Sequence, residues 1–123
     1  MKAKLKYVQI TSEEIDTYLA MLYFNIGSNG ANYMKSAIFY CYYNLAAIKN
    51  LDNIYEYIAE EYNVDAKTVK AGMRSSLVPF NTYRTINPQN KLLNIFNINK
   101  DNITPKQFLK IFVSYLRYKK NKK

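Results

Sequence analysis

The stretch DNIYEYIAEEYNVDAKTVKAGMRSSL, Asp52 to Leu77, holds two helical patterns separated by a short turn at Asn63-Val64. In the first pattern Ile54, Tyr57, Ile58 and Ala59 recur at helical spacing and face inward, while Glu56, Glu60 and Glu61 face out. In the second, Ala66, Val69, Met73 and Leu77 form one stripe, and Lys67, Lys70, Ala71, Arg74 and Ser75 form another. Asp52 and Asp65 stand where N-caps belong. One face of the second helix therefore packs, and the other is positive.

Working outward, Thr11-Ser-Glu-Glu14 is a capping box, followed by Ile15, Leu19, Leu22 and Ile26, with Gly27 to Gly30 as the stop. A second helix is predicted from about Asn32 to Asn50, with Met34, Ala37, Ile38, Cys41, Leu45 and Ile48 on one stripe. Pro79 loosens or kinks the fourth helix. Asn87-Pro88 predicts a fifth, burying Leu92, Leu93 and Phe96. The last start signal combines an Ile103/Phe108 staple, Thr104 as cap, Pro105 and Gln107. Its helix would bury Phe108, Ile111, Phe112, Tyr115 and Leu116 and fray at YKKNKK. The expectation is an all-α domain of about six helices over residues 11–118, with the third and fourth as a helix-turn-helix. Residues 1–10 would be an arm or short strand, and residues 119–123 a basic tail. A winged-helix variant, with residues 78–100 as a hairpin, is the alternative.

The chain has 123 residues, room for one domain, and 49% of them are hydrophobic. Charge divides it sharply. Residues 1–65 carry 5 basic and 8 acidic side chains, net −3, whereas residues 66–123 carry 13 and 1, net +12. That field attracts polyanions, with nucleic acid first and an anionic membrane surface last, since the cations share no helix with an exposed apolar face. The longest uncharged apolar stretch, Ser36 to Ile48, is too short for a span. Lys2, Lys4 and Lys6 have no apolar run behind them and do not read as a secretory signal, so a cytoplasmic, nucleoid-associated protein is expected.

Histidine is absent, and Cys41 is the sole cysteine. The usual general base and metal ligand are therefore missing, and a lone thiol has no base to activate it. No catalytic residue, no metal site, no cofactor and no small-molecule substrate are expected.

A helix seated in the DNA major groove needs side chains that hydrogen-bond base edges or neutralise phosphates, and Lys and Arg do both. Lys67, Lys70, Ala71, Arg74 and Ser75 are the candidate base contacts; Thr68, Tyr83, Arg84, Lys91, Lys119 and Lys120 are the candidate phosphate contacts. Gly72, costing about 1 kcal/mol against Ala inside a helix, would permit a close approach, either of DNA or of the third helix on the fourth. The plain alternatives are a helix pair in an ordinary bundle and a tail that serves solubility.

Three blocks carry a resemblance. Gly30-Ala-Asn-Tyr33-Met34-Lys35-Ser-Ala37-Ile38, Tyr55-Glu-Tyr-Ile58-Ala59-Glu-Glu-Tyr62-Asn63 and Val69-Lys-Ala-Gly-Met73-Arg74 resemble segments of the C-terminal DNA-binding domain of the master sporulation response regulator of endospore-forming bacteria. The resemblance spans roughly Thr11 to Tyr118 and implies a six-helix effector domain of bacterial transcription that binds DNA through its fourth helix. By position Arg74 matches a base-contacting Arg of that family, while Lys70 and Ala71 stand where it has Glu and Arg, and Ser75 where it has His. This chain has no room for the receiver domain that precedes the family's effector domain. The expectation is a stand-alone transcriptional regulator, or a plasmid or phage accessory factor, that binds double-stranded DNA with a preference for sequence, alone or self-associated in tandem or as a dimer. The rival expectation is a protein-interaction module that pairs with a related regulator and blocks it without touching DNA.

Overall fold

Thr11 starts the first helix as its capping box dictates, its hydroxyl accepting from the Glu14 N–H while the Glu14 carboxylate accepts from the Thr11 N–H. The computed structural model describes residues 7–86, 90–97 and 102–122. Among them lie six α-helices: α1 (Ser12–Met21), α2 (Asn29–Tyr43), α3 (Leu51–Tyr62), α4 (Ala66–Ser76), α5 (Val78–Tyr83) and α6 (Pro105–Asn121). Two 3-10 turns, Leu45–Lys49 and Lys91–Phe96, complete the regular structure. The protein is all-α, and no strand occurs among the described residues, so no hairpin forms over Val78–Ile86 or Asn90–Asn97. No helix among them is long and apolar enough to cross a membrane.

Several boundaries differ from expectation. Helix α1 stops a turn before Ile26 because Tyr23 adopts the left-handed conformation, φ 71°, and the Phe24 N–H closes back on the Leu19 carbonyl at 2.9 Å. A tyrosine rarely does this, and no glycine announces the stop. Ser28 then caps α2 by accepting from the Ala31 N–H, so Gly30 lies inside the helix rather than before it. Helix α2 ends at Tyr43 and the remainder of the expected helix is the 3-10 turn. Helix α3 begins at Leu51, which puts Asp52 in its first turn, and neither Asp52 nor Asp65 makes a side-chain cap bond.

Pro79 breaks the chain into two helices: α4 ends at Ser76 and Pro79 stands in the first turn of α5, where its missing N–H would have had no partner within the helix. Asn87-Pro88, the expected start of a fifth helix, lies outside the described residues. Its three apolar positions are nevertheless buried, on a 3-10 turn capped by Asn90. The capping box of α6 forms with both bonds, and Ile103 and Phe108 are buried beside it. Leu109 and Val113 are buried in α6, whereas Ile111 and Tyr115 sit at its edge.

The buried residues form a single core. Helices α1 to α4 enclose Ile15, Leu19, Met34, Ile38, Ile58, Val69 and Met73. A phenylalanine cluster then ties α5 and the second 3-10 turn to α6: Phe96 and Phe108 stack with centroids 5.2 Å apart, and Phe80 meets both edge-on. Asn81 reinforces that junction, its amide donating to the Ile103 carbonyl at 3.1 Å and accepting from the Ile103 N–H at 2.8 Å. The expected basic tail is helical through Asn121, with no break at residue 118. Asn121 donates to the Tyr42 hydroxyl at 3.0 Å and accepts from the Val8 N–H at 2.7 Å, pinning the end of the N-terminal arm to α2 and α6.

Candidate nucleic-acid interface

Asn63 adopts the left-handed conformation, φ 57°, and the Val64 N–H bonds the Ala59 carbonyl at 3.0 Å. That closure ends α3 and turns the chain into α4 within three residues. Helix α4 is wedged against both α2 and α3 through Val69, Met73 and Leu77, each buried. The contact with α2 is close: a Cβ on Gly30 would stand 2.2 Å from the Gly72 carbonyl oxygen, and one on Gly72 would stand 2.9 Å from the Tyr33 ring. Gly72 therefore makes room for α2, not for a duplex and not for α3.

With its inner face fixed, α4 turns Lys67, Thr68, Lys70, Ala71, Arg74 and Ser75 to solvent. All five candidate base contacts thus share one exposed face, joined by Thr68. No described carboxylate pairs with Lys67, Lys70 or Arg74.

The other candidates scatter. Tyr83, at the end of α5, is 45% exposed with its ring 5.1 Å from that of Tyr23. Arg84 is half-buried and its Nε donates to Asn81 at 3.3 Å, so its guanidinium helps hold α5. Lys91 is exposed at the start of the second 3-10 turn. Lys119 is exposed, its Nζ 5.9 Å from the Tyr115 ring centre. Lys120 is bound to Glu14 at 2.8 Å and is not a free phosphate contact. Burial pushes the Glu14 carboxyl up, but the hydrogen bonds from Lys120 and from the Thr11 backbone outweigh it and hold it below its ordinary value. The Glu14 hydrogen bond raises Lys120 in turn.

One grouping is not visible in the sequence. Arg74, at the end of α4, lines a cleft of about 370 Å³ with Leu77, Asn81, Asn102, Thr104 and Pro105, so the N-terminus of α6 stands beside the end of the positive face. Lys106, the next residue, is exposed but lines a different recess, with Leu45, Lys49 and Lys110. Some thirty residues separate Arg74 from this helix start, and no local pattern links them. Lys120 lies about 22 Å further along the α6 axis, at 1.5 Å per residue, which places the C-terminal lysines well away from Arg74.

Cys41 is fully buried, and burial pushes its thiol up to about 12, so it is a core residue with no nucleophilic character at neutral pH. No family model, no curated protein and no solved structure matches the chain.

Proposed function

We propose that the protein binds double-stranded DNA, with α4 entering the major groove and its exposed residues Lys67, Lys70, Arg74 and Ser75 against the base edges. The observation that carries this reading is the outer face of α4: three cations without a carboxylate partner, on a helix whose inner face is clamped between two others. A rigid, positive, solvent-facing helix reached by a short turn suits groove docking, because the cost of ordering it has been met by folding. In this reading a backbone phosphate lies over the cleft at the end of α4, next to Arg74. The three sequence blocks that resemble the sporulation regulator's effector domain support the same role, that of a transcriptional regulator or accessory DNA-binding factor. The replacement of that family's Glu and Arg by Lys70 and Ala71 points to a different operator.

Fluorescence anisotropy on duplex DNA tests the proposal. Log affinity should fall linearly with log salt, with a slope of about −0.9 for each phosphate neutralised. Arg74→Ala should weaken binding to sites selected from random DNA by roughly tenfold and relax their sequence preference, without moving the unfolding midpoint. Affinity insensitive to salt, or an Arg74→Ala protein with full selectivity, refutes it.

A further inference from the structure

The sequence pattern directs Tyr57 inward, yet the structure buries Tyr55 and leaves Tyr57 49% exposed. Tyr57 lies against Tyr40 of α2, ring centres 4.7 Å apart, and with Phe39, Tyr43, Ser36 and Glu61 it lines an open cradle of about 380 Å³. The rings are set before any ligand arrives. Tyr43 meets Tyr42 edge-on at 4.8 Å and its hydroxyl accepts from the Ile10 N–H, while Ser36 and Tyr62 share a hydroxyl hydrogen bond at 3.3 Å.

The surroundings select the ligand's charge. No lining residue is basic and Glu61 is acidic; Glu56, Glu60 and Asp65 line the adjoining recess on the other side of Tyr57, and residues 50–66 hold no Lys or Arg. DNA is repelled from such a face, whereas a guanidinium or ammonium gains from both the ring faces and the carboxylates. Exposed tyrosines in a shaped recess are also the side chains that dominate protein interfaces. We infer that this aromatic cradle between α2 and α3 docks a basic segment of a partner protein, with an Arg or Lys side chain over Tyr40 and Tyr57 and its charge facing Glu61. This surface belongs to helices other than α4 and does not depend on the DNA-binding reading.

The test is a titration of the full chain with acetyl-Gly-Arg-Gly-Arg-Gly-amide, followed through the tyrosine ring resonances by NMR. The control peptide has citrulline, isosteric but uncharged, in place of each arginine. The arginine peptide should shift the rings of Tyr40, Tyr43 and Tyr57, and the citrulline peptide should not. Glu61→Gln and Tyr57→Leu should each weaken binding by roughly three- to tenfold. Glu61 is exposed and in no ion pair among the described residues, so thermal unfolding of Glu61→Gln should be unchanged, which separates lost docking from lost folding; Tyr57→Leu also loses the ring contact with Tyr40 and should unfold slightly earlier. No shift with the arginine peptide, equal shifts with citrulline, or full binding by Glu61→Gln overturns the inference. Two other outcomes also overturn it: movement of the same rings by duplex DNA, and a concentration-dependent dimer abolished by Tyr57→Leu, which would make a second copy the occupant.

Discussion

The two most basic helical surfaces in the second half of the chain are alike in sequence and opposite in structure. On α4, Lys67, Lys70 and Arg74 reach solvent with no carboxylate partner. At the end of α6, Lys120 is paired with Glu14, and the Arg117 guanidinium lies 3.9 Å from the centre of the Tyr7 ring. The second set closes the arm and α1 onto the last helix, so its charge serves the fold. The first set makes no ion pair among the described residues, and a positive face left unneutralised is the one available to an external polyanion. A run of lysines in sequence therefore does not say which of the two roles it has; its neighbours in space do.

The largest effect tests how α4 is held. Gly30→Ala would drive a Cβ to 2.2 Å from the Gly72 carbonyl oxygen, and because the obstacle is backbone the helices must separate. The expected loss is roughly 3 kcal/mol of unfolding free energy, measured in urea. Gly72→Ala crowds the Tyr33 ring, at 2.9 Å, and a ring can tilt, while the Gly30 Cα stands at an ordinary contact distance of 3.4 Å. The gain of about 1 kcal/mol in helix propensity offsets part of that strain, so its net loss should be far smaller. Equal losses in the two variants would mean that this crossing is not what seats α4.

A smaller effect separates the two sets of cations directly. Arg117→Ala and Lys120→Ala should each lose about 0.5–1 kcal/mol of stability. Lys67→Ala and Lys70→Ala should stay within about 0.5 kcal/mol of the parent protein in the same urea titration, while weakening DNA binding. If the α4 substitutions were the costlier ones, the division of roles would be reversed.

How much of this the sequence contained depends on whether a feature is local. Both capping boxes, at Thr11 and Thr104, are four-residue patterns whose partners lie within one turn, and both form as read. The two stripes of α4 are equally local, and every residue assigned to its outer face is exposed. What escaped reading involves partners far along the chain. The left-handed Tyr23 has no glycine to mark it, and the fit of Gly30 against Gly72 joins positions some forty residues apart. Tyr55 is buried in place of Tyr57, and periodicity alone does not separate neighbouring aromatics on a helix edge. In the candidate site, Arg74 was legible, whereas its nearness across the cleft to Asn102 and Thr104 was not.

The Glu14–Lys120 pair sharpens the comparison by its pH dependence. Glu14 has a folded-state pKa below its ordinary value, so its contribution is complete above the ordinary glutamate range and is lost as pH falls through the lowered value. Lys120 is raised, so its contribution is complete below the ordinary lysine range and is lost only as pH rises through the raised value. At neutral pH both terms are present in full. In Lys120→Met, Glu14 keeps its hydrogen bond from the Thr11 N–H but loses its cation, and the stem of the side chain is largely preserved. The stability gap between parent and variant should then be level from about pH 6 to pH 8 and narrow below about pH 4, as the parent's carboxylate is protonated. Both side chains are about one-quarter exposed, 23% and 28%, so the gap is small, at most about 1 kcal/mol, and salt should shrink it. The same substitution at Lys70, with no carboxylate beside it, should give a gap that does not change with acid. A Lys70→Met profile that followed the Lys120→Met profile would show that α4's cations are tied to the fold after all, and the argument for a free reading face would fail with it.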